Sequence, residues 1–448
     1  MTSQYLSYNR SVLQLAVPSI LANITIPLVG IVDVAILGHI SDAAAVGGIA
    51  IGTMLFDLLY WNFGFLRVGT SGLTAQAVGR GDNEETVRLL RQSVLTAFIA
   101  AAGIWLLQWL FVTIVLWCVP CSDEVAAFAR DYFYVRIWAA PATLALMALK
   151  GWFIGMQNTV APMITDIVVN VVNMVASLLA VLYLADNPIK GVALGTLIAQ
   201  YTGLLTAGLI LAVKYRKLLA QTAWSKLKDY LPNRSFFALN IRLFERSLGF
   251  MVVYVGYTYI ASLYGDEELA VSNILMKFFM LFSYFIDGFA YAGEALAGKL
   301  GAKQEGGWSR NAEVDKVVGV LFVWAIGIGL LFSAFYYGGA DWLVGMMTTD
   351  AALRHAATPY YIWLALMPLV SALAFMWDGV YIGATDGLSV RNCMLWAAAA
   401  FVVSYISSYT LIGIQALYLG YFMHLLVRTI YLTARWPKMA FSKKHTIL

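Results

Sequence analysis

The sequence predicts an all-α integral membrane protein of twelve transmembrane helices, arranged as two pseudo-symmetric six-helix bundles. Four observations carry this expectation. Of 448 residues, 61% are hydrophobic and only 12% charged, with a mean hydropathy of +0.75, whereas soluble domains carry about 25% charged residues. Apolar stretches recur along the whole chain, and each supplies the roughly 20 residues that a helix needs to cross a bilayer. The ten-residue alternating pattern of a membrane β-barrel is absent. Finally, the second half of the chain repeats the first.

Twelve spans can be drawn, at 11–37, 43–68, 88–117, 131–155, 160–184, 190–213, 242–263, 268–299, 314–337, 358–383, 389–411 and 413–433. The first has no small-residue cleavage site after a short apolar core, so it reads as a retained helix rather than a signal peptide. Lys and Arg collect in alternate loops: Arg80, Arg88 and Arg91; seven residues between Lys214 and Arg242; Lys299, Lys303, Arg310 and Lys316; and the tail from Arg435. The other loops hold Arg130, Lys190 and Arg354 amid acids such as Asp123, Glu124, Asp266 and Glu267. By the positive-inside rule this bias expects both termini in the cytoplasm. The net charge of +4 is thus a topology signal, and nucleic acid is not an expected partner.

The repeat is read from four matches. "GWFIGMQNT" at 151–159 answers "GVYIGATDG" at 379–387, an offset of 228. Pro141 and Pro368 precede them at nearly the same offset, "AVGGI" (45–49) answers "AVSNI" (270–274), and "TAQAVGRG" (74–81) answers "LAGKLGAK" (296–303). The expected organisation is an N-terminal six-helix lobe at 1–213, a basic cytoplasmic linker at 214–241, and a C-terminal six-helix lobe with its tail at 242–448. Six is even, so the lobes are parallel repeats, a plan that transporters use for alternating access.

Polar residues inside the spans are the candidates for function. Asp33 lies in "GIVDVAILG" (30–38), where a charged Asp costs about 2.5–3.5 kcal/mol on insertion scales. It is either a structural acid capped by hydroxyls or amides, or a group that trades a proton for another cation. Pro18 and Pro27 lie in the same span, and each removes a backbone hydrogen bond from the helix. Asp166, Asn170, Asn173 and Ser177 are spaced 4, 3 and 4 residues apart, which aligns them on one helical stripe. Thr196 and Gln200 repeat the pattern in the sixth span. Such a stripe can ligate a cation, accept from a protonated acid, or hold helices together. In the second half, Asn273, Asp287 and Glu294 align along the eighth span, with Lys277 near Asn273 and Asp378 in the tenth. They form either an internal ion-pair network or a second polar site.

Chemistry of other kinds is poorly represented. His39, His355, His424 and His445 have no metal-binding spacing, so no metal or other cofactor is expected. No GxSxG or P-loop motif occurs, so neither an enzyme nor an ATP-driven pump is expected, and the energy source would be an ion gradient. Cys118 and Cys121 form "WCVPC" without the βαβ context of a redox motif, so a passive pair or a stray disulfide is expected, and Cys393 reads as a small apolar filler.

Three stretches, "VPSILANITIPLVGIVDVAILGHI" (17–40), "IDGFAYAGEALAGKLGA" (286–302) and "WDGVYIGATDGLSVRN" (377–392), make the chain resemble the multidrug and toxic compound extrusion (MATE) family, in its DinF-type branch. The resemblance implies two bundles in a V-shaped arrangement in a bacterial inner membrane. It also implies a monomeric antiporter that exports lipophilic or cationic organic compounds as H⁺ or Na⁺ enters. The family's coupling acid lands on Asp33, its bending proline on Pro18, and its partners in the fifth and sixth spans on Asn173 and Thr196. Many relatives carry a second acid where this chain has Ser177, a departure that favours H⁺. The competing expectation is a flippase or exporter of an amphipathic or lipid-linked metabolite.

Overall fold

The computed structural model describes residues 2–38, 43–119, 121–183, 188–221, 234–303, 307–348 and 350–439, with side chains described outside 2–4, 26–46 and 221. Helix dominates. In order come α1 (Thr2–Gly38), α2 (Ala43–Trp61), α3 (Phe65–Arg80), α4 (Asn83–Cys118), α5 (Asp123–Arg136), α6 (Ala140–Gly155), α7 (Val160–Tyr183), α8 (Pro188–Lys214) and α9 (Arg216–Gln221). The second half adds α10 (Arg234–Ser262), α11 (Asp266–Gly301), α12 (Ala312–Met347), α13 (Ala351–Ala357), α14 (Tyr361–Gly383), α15 (Gly387–Ile412) and α16 (Gln415–Met439). Every expected span falls on this framework. The second is longer than the sequence suggested, because α3 continues it to Arg80 after a turn at 62–64. The fourth and tenth are each a helix pair joined by a 3₁₀ turn, Ile137–Ala139 and Thr358–Tyr360. Among the described residues, nine helices or helix pairs are long and apolar enough to cross a membrane.

Helix ends follow local chemistry. Gly81 takes φ 71° after α3, and the next residue, Asp82, accepts from Glu85 N at 2.9 Å to start α4. Ser122 caps α5 and Asn311 caps α12, the latter accepting from Glu313 N and Val314 N. These oxygens serve amide groups that the first helical turn leaves without partners.

The chain divides into two compact units, Leu21–Phe237 and Ala238–Leu448, with Met1–Ile20 belonging to the second. The sequence reading counted residues 1–20 with the first lobe. In the structure this segment packs on α11 and α12: a Cβ on Gly288 would stand 2.8 Å from Ala16 O, and Trp324 donates to Asn9 Oδ1 at 2.9 Å. The passage from one unit to the other therefore falls within α1, two residues after Pro18.

The internal repeat reaches atomic detail. α6 and α14 both end in a reversal whose pivot is a non-glycine residue in the left-handed region, Gln157 at φ 59° and Thr385 at φ 56°. Asn158 N bonds to Phe153 O at 2.9 Å, and Asp386 N to Tyr381 O at 3.1 Å, the 6→1 bond that closes a helix C-terminus. The same two residues then cap the next helix, with Asn158 accepting from Ala161 N at 3.3 Å and Asp386 from Ser389 N at 3.0 Å. A left-handed pivot costs an ordinary side chain about 1–2 kcal/mol, and in both units the turn hydrogen bonds and the following cap offset it.

Backbone contact explains the glycines of these motifs. A Cβ on Gly151 would lie 2.2 Å from Arg67 O, and one on Gly379 would lie 2.2 Å from Ala290 O. Thus α6 lies directly against α3, and α14 against α11. Alanine at either glycine would drive the paired helices apart at a cost of about 1–3 kcal/mol. We expect Gly379→Ala to lower the thermal midpoint of the purified protein by several degrees. Gly327→Ala, whose Cβ meets nothing within 4 Å, should leave the midpoint unchanged or raise it.

Candidate functional site

The polar stripe of α7 is real, and it reaches three different helices of the first unit. Asp166, nearest its start, forms an ion pair with Lys150 of α6. One turn on, Asn170 donates to Thr25 Oγ1 of α1, whose hydroxyl in turn donates to Ala22 O at 2.7 Å. Asn173 is 3% exposed and donates to Thr196 Oγ1 of α8 at 2.9 Å. Ser177 is fully buried, and its hydroxyl donates to Val192 O at 3.5 Å.

The α7–α8 seam is closed by glycine. A Cβ on Gly195 would fall 2.2 Å from Ser177 Oγ and 2.4 Å from Ser177 Cα, while Gly191 and Gly203 meet Val181 and Val169 in the same way. Small residues permit this approach between membrane helices. Ser177 Oγ therefore lies directly against the backbone of Gly195. Asn173 Oδ1 stays buried without a partner among the described residues, and such an acceptor is costly to leave unpaired, by about 1–3 kcal/mol.

Asp33 lies on the helical backbone of α1, as do Pro18 and Pro27, and the helix is continuous over both prolines. The side chains of Asp33 and Pro27 lie outside the described residues. Pro18 is half-buried.

The second unit distributes its expected polar residues differently. Asn273 and Lys277 are exposed, Asp287 is half-buried, and Glu294 is 1% exposed. α11 sinks from a partly open first half into a fully packed second half, so one stripe spans unlike environments. Asp378 has partners that the sequence reading did not assign: its Oδ2 accepts from Arg246 Nη2 of α10 at 2.6 Å and from Arg428 Nη2 of α16 at 2.5 Å. Arg428 is 2% exposed. Both guanidinium carbons stand over the Phe250 ring, at 4.8 and 5.0 Å, and Arg428 also lies 5.3 Å from the centre of Phe375. The buried ring of His424 packs beside Phe250 and Tyr421. The missed signal was the spacing of Tyr421, His424 and Arg428, which is three then four residues and lies on one face of an otherwise apolar span.

One turn along α14 and α16 from this cluster is a small cavity with room for about one water molecule, about 10 Å³. Phe279, Phe282, Met367, Phe375, Tyr421 and Leu425 form its apolar wall. Pro368, inside α14, and Ser371 also line it, the serine donating to Met367 O at 2.6 Å. Among the described residues no group of three or more His, Cys, Asp and Glu is arranged to hold a metal, and Cys118, Cys121 and Cys393 are free thiols.

Two duplicated helical units with buried polar residues define a multi-pass membrane transporter. The MatE family matches residues 18–179 and 246–410. The chain belongs to that family, whose members are transporters rather than enzymes and need no cofactor. It is 33% identical to DNA damage-inducible protein F of Escherichia coli over 96% of this chain and 93% of that protein. A probable multidrug resistance protein, NorM of Caulobacter vibrioides, is 24% identical over 88% of this chain and 81% of its own length. Among solved structures, a MATE transporter crystallised in the bent conformation superimposes with a TM-score of 0.85 at 17% identity, covering 97% of this chain and 96% of that one.

The ion pair with Lys150 distinguishes Asp166 from the rest of the stripe. The carboxylate is already matched by a cation of the same unit, as charges inside membrane spans are when they pair with one another. Asp166→Asn leaves Lys150 without its carboxylate and should lower the thermal midpoint of the purified protein, while Asp166→Asn combined with Lys150→Met should recover much of that loss. An unchanged midpoint in Asp166→Asn would show that the ion pair does not support the fold.

Proposed function

We propose that the protein is a proton-coupled exporter of lipophilic organic cations in a bacterial inner membrane, with both termini cytoplasmic and Asp33 as the coupling group. The observation that carries this reading is the α7 stripe: one hydrogen bond ties it to α1, and one buried amide oxygen is left open. Thr25, the α1 partner of Asn170, precedes Asp33 by eight residues, about 12 Å along a helix. α1 and α7 are both odd-numbered spans and so run in the same direction across the membrane. Eight residues beyond Asn170 along α7 is Leu178, next to Ser177 and five residues past Asn173. A neutral Asp33 carboxyl has an O–H to donate, and Asn173 Oδ1 is a buried acceptor that lacks one.

The choice of ion rests on Ser177. Position 177, where many relatives have a second acid, holds a serine buried against Gly195. One acid with amide and hydroxyl neighbours suits a proton, whereas Na⁺ is better held by several charged oxygens. Protonation would remove the cost of an ionised carboxylate in an apolar bundle and let α1 change its bend near Pro18. Because the two units divide α1 just after Pro18, such a bend would be felt in both. Release of the proton on the cytoplasmic side would reset the helix.

The test is transport in proteoliposomes with a pH gradient and a Na⁺ gradient imposed separately. We expect export of a lipophilic cation to follow the pH gradient alone. Asp33→Asn should insert and fold normally yet lose export by tenfold or more. Full transport by Asp33→Asn, or transport driven only by Na⁺, would refute the scheme.

A further inference from the structure

The second unit contains a charge arrangement that proton coupling through Asp33 does not use. Arg246 and Arg428 converge on one oxygen of Asp378, and the three side chains in mutual contact carry one excess positive charge. The nearest other pair on α10 and α15, Glu245 with Arg391 at 3.0 Å, neutralises itself. Each guanidinium has five N–H groups in a planar fork. Among the described residues, each donates only through Nη2, and only to Asp378. Buried charges in apolar surroundings are normally paired, so this excess calls for an anion that the described residues do not supply.

The surroundings specify what kind of anion. Phe250 and Phe375 flank the guanidiniums, and Phe375 continues into the wall of the apolar cavity one turn away, beside Phe279, Phe282, Tyr421 and Leu425. A charged head would meet the arginine forks, and an attached hydrocarbon would lie against the aromatic wall once its side chains part, since the cavity as it stands holds about one water molecule. Arginine forks match the planar, two-oxygen edge of carboxylate and phosphate. We propose that Arg246 and Arg428, joined at Asp378 beside this cavity, form a binding site for the oxyanion head of an amphipathic ligand.

In this arrangement Asp378 is a built-in competitor. It holds the two arginines in place while the site is empty and shares them when an oxyanion arrives. A cluster that only braces helices would behave differently, since loss of Asp378 would weaken it in every respect.

The test uses the full chain in nanodiscs of zwitterionic lipid, titrated calorimetrically with octyl phosphate against empty discs. Octyltrimethylammonium, which pairs the same tail with the opposite charge, is the control, and Arg246→Gln should leave whatever binding it shows unchanged. We expect Arg246→Gln to weaken octyl phosphate binding at least tenfold. Asp378→Asn, which frees both forks, should tighten it several-fold. Where Asp378→Asn is too unstable to titrate, its thermal unfolding is the readout, and octyl phosphate should raise its midpoint more than that of the wild type. Equal binding by wild type and Arg246→Gln overturns the proposal. So does weaker binding, or absence of thermal rescue, in Asp378→Asn. Discs containing phosphatidylglycerol distinguish the sources: competition identifies a bilayer headgroup as the ligand, and undiminished binding identifies a soluble amphiphile, the site standing in either case. Asp33→Asn should bind octyl phosphate as the wild type does, which separates this site from the coupling scheme.

Discussion

A charged or strongly polar group inside an apolar bundle must find a partner, and that constraint orders most of this structure. Leaving one partner of a buried ion pair without the other costs about 3–5 kcal/mol. Arg428 is 2% exposed and Asp378 is 6% exposed, so α14 and α16 are held in register by more than apolar packing. Arg246 brings α10 to the same point. In the first unit the same demand is met by neutral groups. Asn170, Asn173 and Ser177 each reach a different atom on α1 or α8. Such bonds between membrane helices contribute about 0.6 kcal/mol on average, since the separated helices also find partners. They orient α7 more than they stabilise it.

Close helix approach makes this partnering possible. A serine or threonine hydroxyl reaches across to a neighbouring helix only when the backbones nearly touch. Gly195 brings α8 to within that range of Ser177, and Gly151 and Gly379 do the equivalent for α6 and α14. A glycine inside a helix sacrifices roughly 0.5–1 kcal/mol relative to alanine. The contacts it permits recover that amount, and they also determine which residue types fit opposite. Gly195 is an example: any side chain there would overlap Ser177.

The fold was legible in the sequence because span length, hydropathy and the internal repeat, at offsets of 222 to 228 residues, are properties of many residues at once. The reversals at Gln157 and Thr385 could be expected to correspond from "GMQNT" and "GATDG", although the left-handed φ of two non-glycine residues could not be read. The site was less legible. The α7 spacing placed the four residues on one stripe, but spacing assigns a face and leaves the neighbour unspecified, and in the structure each of the four finds a different partner. Lys277 was grouped with Asp378 because both are charged and in the same half. The partners of Asp378 come instead from α10 and α16, far apart in the chain, and Arg428 was hidden in a span whose average is apolar. Pairings between helices depend on tertiary register, which periodicity within one helix does not encode.

The two units show how duplication separates scaffold from chemistry. They share the same turn, the same capping positions and the same glycine contacts, each set by backbone geometry that tolerates little change. Their polar interiors have diverged to opposite character: amides, hydroxyls and a Lys–Asp pair along α7 in the first, two arginines on one carboxylate in the second. Backbone contacts constrain the residues at a helix seam, while residues facing the inside of a bundle are constrained only to be partnered. A repeat can therefore keep its architecture while its halves come to prefer ligands of different charge. A transporter built this way is not obliged to run its coupling ion and its cargo through equivalent sites, and the residues that decide the cargo need not be those that take up the proton.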